Sequence, residues 1–366
     1  MIPVPWPSTH LDRRPTSIIE VAHESIGLYV PPPVSHLELA ARVPGYRTSE
    51  LDALLAERSL IGLRCLRGSA FLMAVDLLPI VVPATRARNV KAFAGFLRKS
   101  LTTADYPTWT GRIEDVLGLG EQLTKAEITA RLDPPEDDRP FITNVVSQMA
   151  TESRLIGIRI PVSWRSAQIA YTRWADWLPA VDVESPDPDA ARIELARLYL
   201  RSFGPASITD FAWWSGLTKT QARAAVETSG ATTRGDLFEF DSVAADPPRG
   251  VRLLPIWDTL FVTWKDRSRF ISEALLPYVY DRSGNATSVV LIDGEVAGVW
   301  SMSPGDAGLE VRAAPFGRFT AAHWTAIEEE AQVVGGLAHS EPTTLIRVDN
   351  PPNLRDGKRN LFMRPV

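Results

Sequence analysis

The pentapeptide "LIGLR" at residues 60–64 returns as "LIGIR" at residues 155–159, and each copy follows a short charged run, "AERS" or "TESR". Side chains alternate between the two faces of a strand. Leu60 and Gly62 therefore share one face, Ile61 and Leu63 share the other, and both faces are apolar. This pattern predicts a strand that is buried on both sides. A near-identical strand about ninety residues along the chain predicts two copies of one structural unit.

The residues before the first copy predict two helices. Ser35 with Glu38 and Ser49 with Asp52 fit the pattern in which two side chains satisfy the exposed amides of a helix start. Pro44-Gly45 separates the two segments. After the second helix, the strand "LIGLRCLR" is expected to turn at Gly68 and to return as "AFLMAV".

The same order of elements recurs twice more. Before "LIGIR", Thr124 with Glu127 marks one helix and "FITNVVSQMATES" supplies the next. From Ser207 onward, Ser207 with Asp210 and Thr218 with Gln221 mark two helices around a turn at Gly216, and "GDLFEFD" supplies a strand. A helix, a tight turn, a helix and a hairpin are typical of a winged helix-turn-helix. The sequence therefore predicts three such units in tandem.

The last third of the chain changes to strands. The segment "VRLLPIWDTLFVTW" (251–264) is apolar and β-prone, and "SVVLIDGEVAGVW" contains Asp293-Gly294, which suits a two-residue hairpin turn. The segments "AGLEVRA" and "TTLIRVD" predict further strands around a helix that begins after Thr320 and stops at Gly335-Gly336. The fold class is thus α+β, with three winged-helix units and a C-terminal β-rich unit. The expected boundaries are 1–100 (with a following basic helix), 101–192, 193–250 and 251–366.

Composition narrows the class of protein. The 366 residues are 45% hydrophobic and carry a net charge of −5, which argues against non-specific coating of nucleic acid but not against a local basic face. No apolar run is long enough to cross a bilayer, the N-terminus does not resemble a signal peptide, and the single cysteine, Cys65, permits no internal disulfide. A cytoplasmic protein is expected. The stretch 86–99, "RARNVKAFAGFLRK", and the basic tail 353–366 are candidates for phosphate contact.

Motif searches indicate few sites of chemistry. The five histidines are scattered, one cysteine cannot build a zinc site, and the sequence contains no nucleotide-binding loop and no nucleophile elbow. Neither a metal nor a cofactor is expected. Asp258 lies in the apolar stretch "LLPIWDT", where a carboxylate must be paired or shifted in pKa. It is therefore either a catalytic candidate or a structural group that pairs with Arg267 or caps a backbone amide.

Three segments resemble a known family. They are "RLYLRSFGPASITDFAWWSGLTKTQARAAVE" (198–227), "RLLPIWDTLFVTWKDRSRF" (252–270) and "VVLIDGEVAGVW" (289–300), and residues 59–79 resemble the first wing of the same family. The family is that of the winged-helix AlkZ-like DNA glycosylases of bacteria. The resemblance implies three winged helices around a concave cleft that accepts DNA. It also implies excision of bulky alkylated purines by a monofunctional glycosylase, in DNA repair or in self-resistance to a toxin.

The resemblance also implies a reaction centre at which this chain departs from the family. Family enzymes carry two glutamines one residue apart, which hold the attacking water; the matching segment here is "GLYVPPP" (27–33), with Tyr29 at the first position and Pro31 at the second. A tyrosine hydroxyl can orient water, whereas a proline side chain neither donates nor accepts a hydrogen bond. The hairpin at 301–312 is also acidic where the family tends to be basic, because it carries Asp306 and Glu310 with only Arg312.

Three hypotheses stay open on these residues. The chain binds DNA and excises bases through a different arrangement, in which Tyr29, His23, Glu24 or Asp258 take part. Alternatively it binds duplex DNA, alkylated or not, without catalysis, or regulates transcription. The third hypothesis is that it holds a small DNA-reactive molecule in an aromatic cleft. A monomer is expected in each case. The candidate DNA-binding residues are Arg64, Arg67, Lys219, Arg223, Lys265, Arg267 and Arg269.

Overall fold

The structure is a computed structural model that describes residues 6, 10–12, 16–100, 106–240, 246–337 and 342–355, without the side chains of 96–100. The mixed α+β class is confirmed, with four small sheets among fourteen α-helices in this described part. Most of the basic tail lies outside the described residues, as do the side chains of Arg98 and Lys99 in the basic stretch 86–99.

The first repeat has a helix, a short strand, two helices and a hairpin. Its elements are α1 (Ile18–Glu24), β1 (Leu28–Tyr29), α2 (Val34–Ala40), α3 (Thr48–Ala56), β2 (Leu60–Arg64) and β3 (Ala70–Ala74). The strands form an antiparallel sheet in the order β1-β3-β2, so β2 is an edge strand. Gly68 has a φ of 73° at the turn of the hairpin, which is a conformation that favours glycine.

The second repeat has the same order of elements and the same sheet order. After the long connecting helix α4 (Leu78–Ser100) come α5 (Tyr106–Val116), β4 (Leu123–Thr124), α6 (Lys125–Leu132), α7 (Arg139–Thr151), β5 (Leu155–Ser163), β6 (Ser166–Arg173) and the short α8 (Trp174–Trp177). The strand order β4-β6-β5 again places the repeated pentapeptide on an edge strand. Helix α4 packs against α7 of this repeat.

The third repeat has a smaller sheet. It consists of α9 (Pro188–Phe203), α10 (Ile208–Ser215), α11 (Lys219–Thr228), β7 (Thr232–Arg234) and β8 (Leu237–Glu239). Ala206 forms an isolated bridge to Phe238, which takes the place of the first strand in the other repeats. Because α9 begins at Pro188, the expected boundary between residues 192 and 193 falls inside a helix.

The C-terminal unit is a five-stranded sheet covered by a helix. Its elements are β9 (Val251–Leu254), the short helices α12 (Thr259–Val262) and α13 (Leu276–Val279), β10 (Val289–Ile292), β11 (Glu295–Gly305), β12 (Gly308–Pro315), α14 (Ala321–Gly336) and β13 (Thr343–Arg347). The order is β13-β12-β11-β10-β9, and only β12 and β13 are parallel. Helix α14 packs against β9 and β13. The strand expected over 251–264 is shorter than expected, because the chain turns into α12 after β9.

Some of the capping pairs that the sequence predicts are present at the helix N-termini, and others are not. The capping pairs Thr124 with Glu127, Ser207 with Asp210 and Thr218 with Gln221 are confirmed, and Thr320 accepts a hydrogen bond from the backbone of His323. The two pairs expected in the first repeat are wrong. Helix α2 begins after Pro33 without a side-chain cap, and Arg47, not Ser49, precedes α3.

The repeated strand joins two hydrophobic cores. Leu155 belongs to a core that lies within the second repeat. The next residue, Ile156, belongs to the larger core that the first repeat, the third repeat and the C-terminal unit share. Leu60 and Ile61 are both buried, as the pattern predicted, whereas Arg64 at the end of β2 is exposed. Cys65 is buried, and burial raises the pKa of its thiol to about 12.

Candidate nucleic-acid interface and buried ionic cluster

Tyr29 ends β1 with its ring between two other aromatic rings. The Tyr29 ring centroid lies 5.6 Å from that of Phe71, edge to face, and 5.0 Å from that of Trp257. The side chain is half-buried, and within the described residues its hydroxyl makes no hydrogen bond. Strand β1 stops at Tyr29, and Pro31 lies in the turn to α2, where its carbonyl accepts the amide of Val34 at 2.8 Å.

Arg67 projects from the hairpin of the first repeat onto the third repeat. Its guanidinium lies 4.1 Å from the ring centroid of Trp213 on α10. Burial lowers the pKa of Arg67 to about 10; the positive charge of Arg267 lowers it further, and Tyr29 opposes the shift. Arg67 is thus close enough to interact electrostatically with both Tyr29 and Arg267. A Cβ at Gly216 would lie 2.9 Å from the Cα of Arg67, so the glycine turn after α10 permits this approach.

The segment 265–269 brings two more arginines onto aromatic rings. The Arg267 guanidinium lies 3.9 Å from the Tyr280 ring centroid and donates to the carbonyl of Gly284 at 3.1 Å. Arg269 lies 5.0 Å from the Trp264 ring centroid and donates to the carbonyl of Pro205. Burial lowers the pKa of Arg269. Lys265 is exposed, and its backbone amide donates to Asp210 at 3.0 Å.

The other candidate cations form no hydrogen bond or ring contact with Tyr29, Arg67 or Arg267 in the described structure. Lys219 and Arg223 are exposed on α11, and Arg223 forms an ion pair of 3.3 Å with Glu227 one turn later. Arg64 is exposed at the end of β2 and donates to the carbonyl of Gly68. Arg86, in the basic stretch 86–99, is bound by Glu184 through both of its terminal nitrogens. The structure therefore brings together Tyr29, Arg67 and Arg267, which we call the central cluster.

Asp258 does not pair with Arg267, which corrects the sequence prediction. Its carboxylate forms a bidentate ion pair with Arg42, with both nitrogen–oxygen distances at 2.8 Å, and both side chains are 0% exposed. The expectation that it caps a backbone amide is confirmed, because one oxygen accepts from the amide of Leu260 at 3.0 Å. Asp258 is the N-cap of α12. A carboxylate used in this way holds its neighbours in place.

Glu38 completes this buried ionic cluster. One oxygen accepts from the hydroxyl and the amide of Thr259, and the other lies 3.4 Å from the amide of Tyr29. Burial and the nearby charge of Asp258 raise the pKa of Glu38 to about 7. The carboxylate thus ties the backbone of β1 at Tyr29 to the start of α12 in the C-terminal unit.

His23 and Glu24, the other catalytic candidates, are in contact with other side chains. His23 lies 3.0 Å from Asp76, and Glu24 lies 2.8 Å from His10. Neither contact involves the central cluster.

Sequence reasoning missed Arg42 and the partners of the arginines. A signal for Arg42 was present, because Glu38 and Arg42 are charged residues four apart in the otherwise apolar helix segment "HLELAAR". The aromatic partners of Arg67 and Arg269, Trp213 and Trp264, have no signal in the sequence that distinguishes them from core residues. Among the described residues, three or more metal-ligating side chains nowhere gather in one place, and no helix has the length and apolarity to span a membrane.

Comparison with known proteins decides the family. The family model described as "DNA glycosylase AlkZ-like" matches residues 27–336, which is most of the chain. The chain belongs to the AlkZ-like DNA glycosylase family. The resemblance found in the sequence is thereby confirmed, and membership implies DNA as the partner. The matched range begins two residues before Tyr29 and includes both the central and the ionic clusters.

A solved structure of the family has the same fold. The Streptomyces sahachiroi DNA glycosylase AlkZ superposes with a TM-score of 0.72 over 93% of this chain and 96% of its own, at 21% sequence identity. At this identity the match establishes a common fold. No curated protein matches the sequence.

Proposed function

We propose that the chain binds duplex DNA with three winged helix-turn-helix units arranged around a concave cleft. The element order and the sheet order that recur in the three repeats support this assignment, as does membership of a DNA glycosylase family. The proposed units are 1–100, 101–192, 188–250 and 251–366. The third unit begins at residue 188 so that it includes the whole of α9, and it therefore overlaps the end of the second unit. A monomer is sufficient, because the three repeats lie in one chain.

The central cluster is the observation on which the proposal depends. Arg67 and Arg267 come from different units, and each guanidinium is held by an aromatic ring, while Arg67 also interacts electrostatically with both Tyr29 and Arg267. An arginine that is already held in place loses little side-chain entropy when it binds phosphate. The half-buried rings of Tyr29 and Trp257 offer stacking surface for an unpaired or alkylated base. Trp257 has a φ of 55°, a backbone conformation that is uncommon for residues other than glycine and that recurs at functional sites.

Titration of a labelled duplex at several salt concentrations tests the proposal. Phosphate contacts release counterions, so the logarithm of the association constant is expected to fall linearly as the logarithm of the salt concentration rises. A duplex with an N7-alkylguanine is expected to bind more tightly than the unmodified duplex. Undetectable binding, or binding independent of salt, would refute the proposal.

Base excision is the second candidate function, and one observation favours it. The resemblance assigns Tyr29 to the position of the first family glutamine, and its hydroxyl is without a hydrogen-bond partner in the described part of the chain. It could hold the water that attacks the anomeric carbon while a cationic purine departs. Glu38 and Asp258 are fully buried and bound elsewhere, so we assign them to positioning.

Replacement of Tyr29 by phenylalanine tests this candidate. The variant keeps the ring contacts and loses only the hydroxyl, and the rate of base release from N7-alkylated duplex is expected to fall about 10²-fold. Tyr278→Phe is the matched control, because Tyr278 is also half-buried and packs on an aromatic ring, Phe316, at 5.7 Å. Equal release by both variants, or no release by the unchanged protein, would contradict catalysis through Tyr29.

A further inference from the structure

A pocket of about 230 Å³ is lined by both copies of the repeated strand. Strands β2 and β5 are the edge strands of their sheets and lie against each other, and Gly62 and Gly157, the central residues of the two pentapeptides, both line the pocket. A Cβ at Gly157 would lie 3.0 Å from Ile169, whereas one at Gly62 would be in ordinary contact with Leu72 and Val30 at 3.6 Å. Because glycine has no side chain, the pocket wall at both positions consists of backbone atoms alone.

The lining of the pocket is apolar except for a few groups. Leu63, Ala70, Leu72, Ala150 and Ile156 are among the apolar residues, and Tyr171 supplies an aromatic ring. An engineered cavity of about 150 Å³ with an apolar lining holds a benzene molecule. The present volume therefore suits a body of one or two rings.

The charges of the lining all have one sign. Arg64, Lys125 and Arg159 line the pocket, and no aspartate or glutamate does. Lys125 donates to the hydroxyl of Ser147 and lies 5.5 Å from the centroid of the Tyr171 ring. Burial lowers the pKa of Lys125, and the charge of Arg64 lowers it further. Lys125 loses water in the pocket and forms no ion pair with a carboxylate within the described residues, and such a cation favours an anionic ligand.

Arg159 supplies an independent observation. The side chain is only 7% exposed, and its terminal nitrogens donate to the carbonyl of Val30 at 3.3 Å and to Ser35 at 3.2 Å, with His36 at 3.3 Å. Burial lowers the pKa of His36 to about 3, so this histidine is neutral and brings no charge. The Nε of Arg159 is buried and has no hydrogen-bond partner among the described residues. Burial lowers the pKa of Arg159 and the nearby Asp52 opposes this shift, although the Asp52 Oδ1 is itself buried without a hydrogen-bond partner among the described residues.

We propose that this pocket binds a small organic anion, with a carboxylate or sulfonate on an apolar body of one or two rings. The acid group would lie among Arg64, Lys125 and Arg159, and the rings would lie on the apolar wall between β2 and β5. The site is distinct from the central cluster, because none of the three residues Tyr29, Arg67 and Arg267 lines the pocket. A ligand at this place would connect the first and second repeats.

Calorimetric titration of the full chain with naphthalene-2-carboxylate tests the proposal. Saturable binding is expected, and the uncharged naphthalene-2-carboxamide is expected to bind at least about tenfold more weakly, because it lacks the charge that the cations complement. Equal binding of the two compounds, or no binding of the carboxylate, would overturn the proposal.

A matched pair of lysine variants locates the binding site. Lys125 and Lys219 are each the first residue of a helix, after the N-caps Thr124 and Thr218, but only Lys125 lines the pocket. Lys125→Met is expected to weaken carboxylate binding about tenfold, and Lys219→Met is expected to leave it unchanged. Arg64→Met provides a second test with a residue that lines the pocket and is exposed. If the Lys125 and Lys219 variants lose affinity equally, the anion binds elsewhere. The same conclusion follows if Lys125→Met and Arg64→Met both bind the carboxylate as tightly as the unchanged protein does.

Discussion

Replacement of Arg42 by methionine is expected to lower the free energy of unfolding by about 3–5 kcal/mol, because removal of one partner leaves a buried charge without compensation. Arg42 and Asp258 are both 0% exposed, and Glu38 is buried beside them. Chemical denaturation at neutral pH measures the change. The matched control is Arg47→Met, because Arg47 pairs with Glu50 at 3.7 Å with its side chain 77% exposed. An exposed pair of this kind contributes about 0–1 kcal/mol.

The pH dependence separates an uncompensated charge from a simple packing defect. The pKa of Glu38 is raised to about 7 in the folded chain from 4.5, so the folded state binds the proton more firmly than the unfolded state. The free energy of unfolding of the unchanged protein is therefore expected to fall as the pH rises from 4.5 to about 7. Without Arg42 the difference between variant and parent should grow as the pH rises. A loss of stability that is the same at pH 5 and pH 8 would indicate lost packing alone.

The parts of the fold that the sequence predicted depend on short-range interactions. Thr124 and Glu127 satisfy each other's amides within three residues, and nothing distant competes for them. Glu38 fails as a capping residue because Thr259, more than two hundred residues away, binds its carboxylate instead. Asp258 was recognised as a carboxylate that needs a partner, and the partner was misidentified for the same reason. Pairing across such distances depends on how the units pack, which local patterns do not encode.

In the candidate site, too, the individual residues were predictable from the sequence and their long-range contacts were not. Tyr29, Arg67 and Arg267 were predicted individually, from a resemblance and from charge. The contact between Arg67, on the hairpin of the first repeat, and Trp213, on α10, could not be predicted from the sequence. That contact requires the glycine turn at Gly216, where a side chain would collide with the backbone of Arg67. The repeated pentapeptide predicts two copies of one structural unit, and in the structure its two glycines also border the pocket between β2 and β5.

The double variant Arg67→Met, Arg267→Met is expected to weaken binding of duplex DNA about 10- to 100-fold at moderate salt. Each lost phosphate contact is expected to reduce the slope of the salt dependence by about one, so the slope should fall by about two. The logarithm of the association constant, plotted against the logarithm of the salt concentration for variant and parent, measures both quantities. Arg67→Lys with Arg267→Lys keeps both charges, and it is expected to restore the slope without restoring the full affinity, because lysine does not stack as arginine does.

A second pair of arginines controls for the loss of charge and of aromatic contact. Arg58 lies 4.0 Å from the Trp177 ring centroid and Arg112 lies 4.3 Å from that of Trp109, both outside the central cluster. Arg58→Met with Arg112→Met therefore removes the same charge and the same kind of contact. This control is expected to change the affinity by less than about threefold and to leave the salt slope unchanged, since distant charges are largely screened at physiological salt. If both double variants lose affinity equally, the whole basic surface binds DNA and the central cluster has no special role. If only the Arg67 and Arg267 variant loses affinity, the phosphate contacts lie where the first repeat, the third repeat and the C-terminal unit meet.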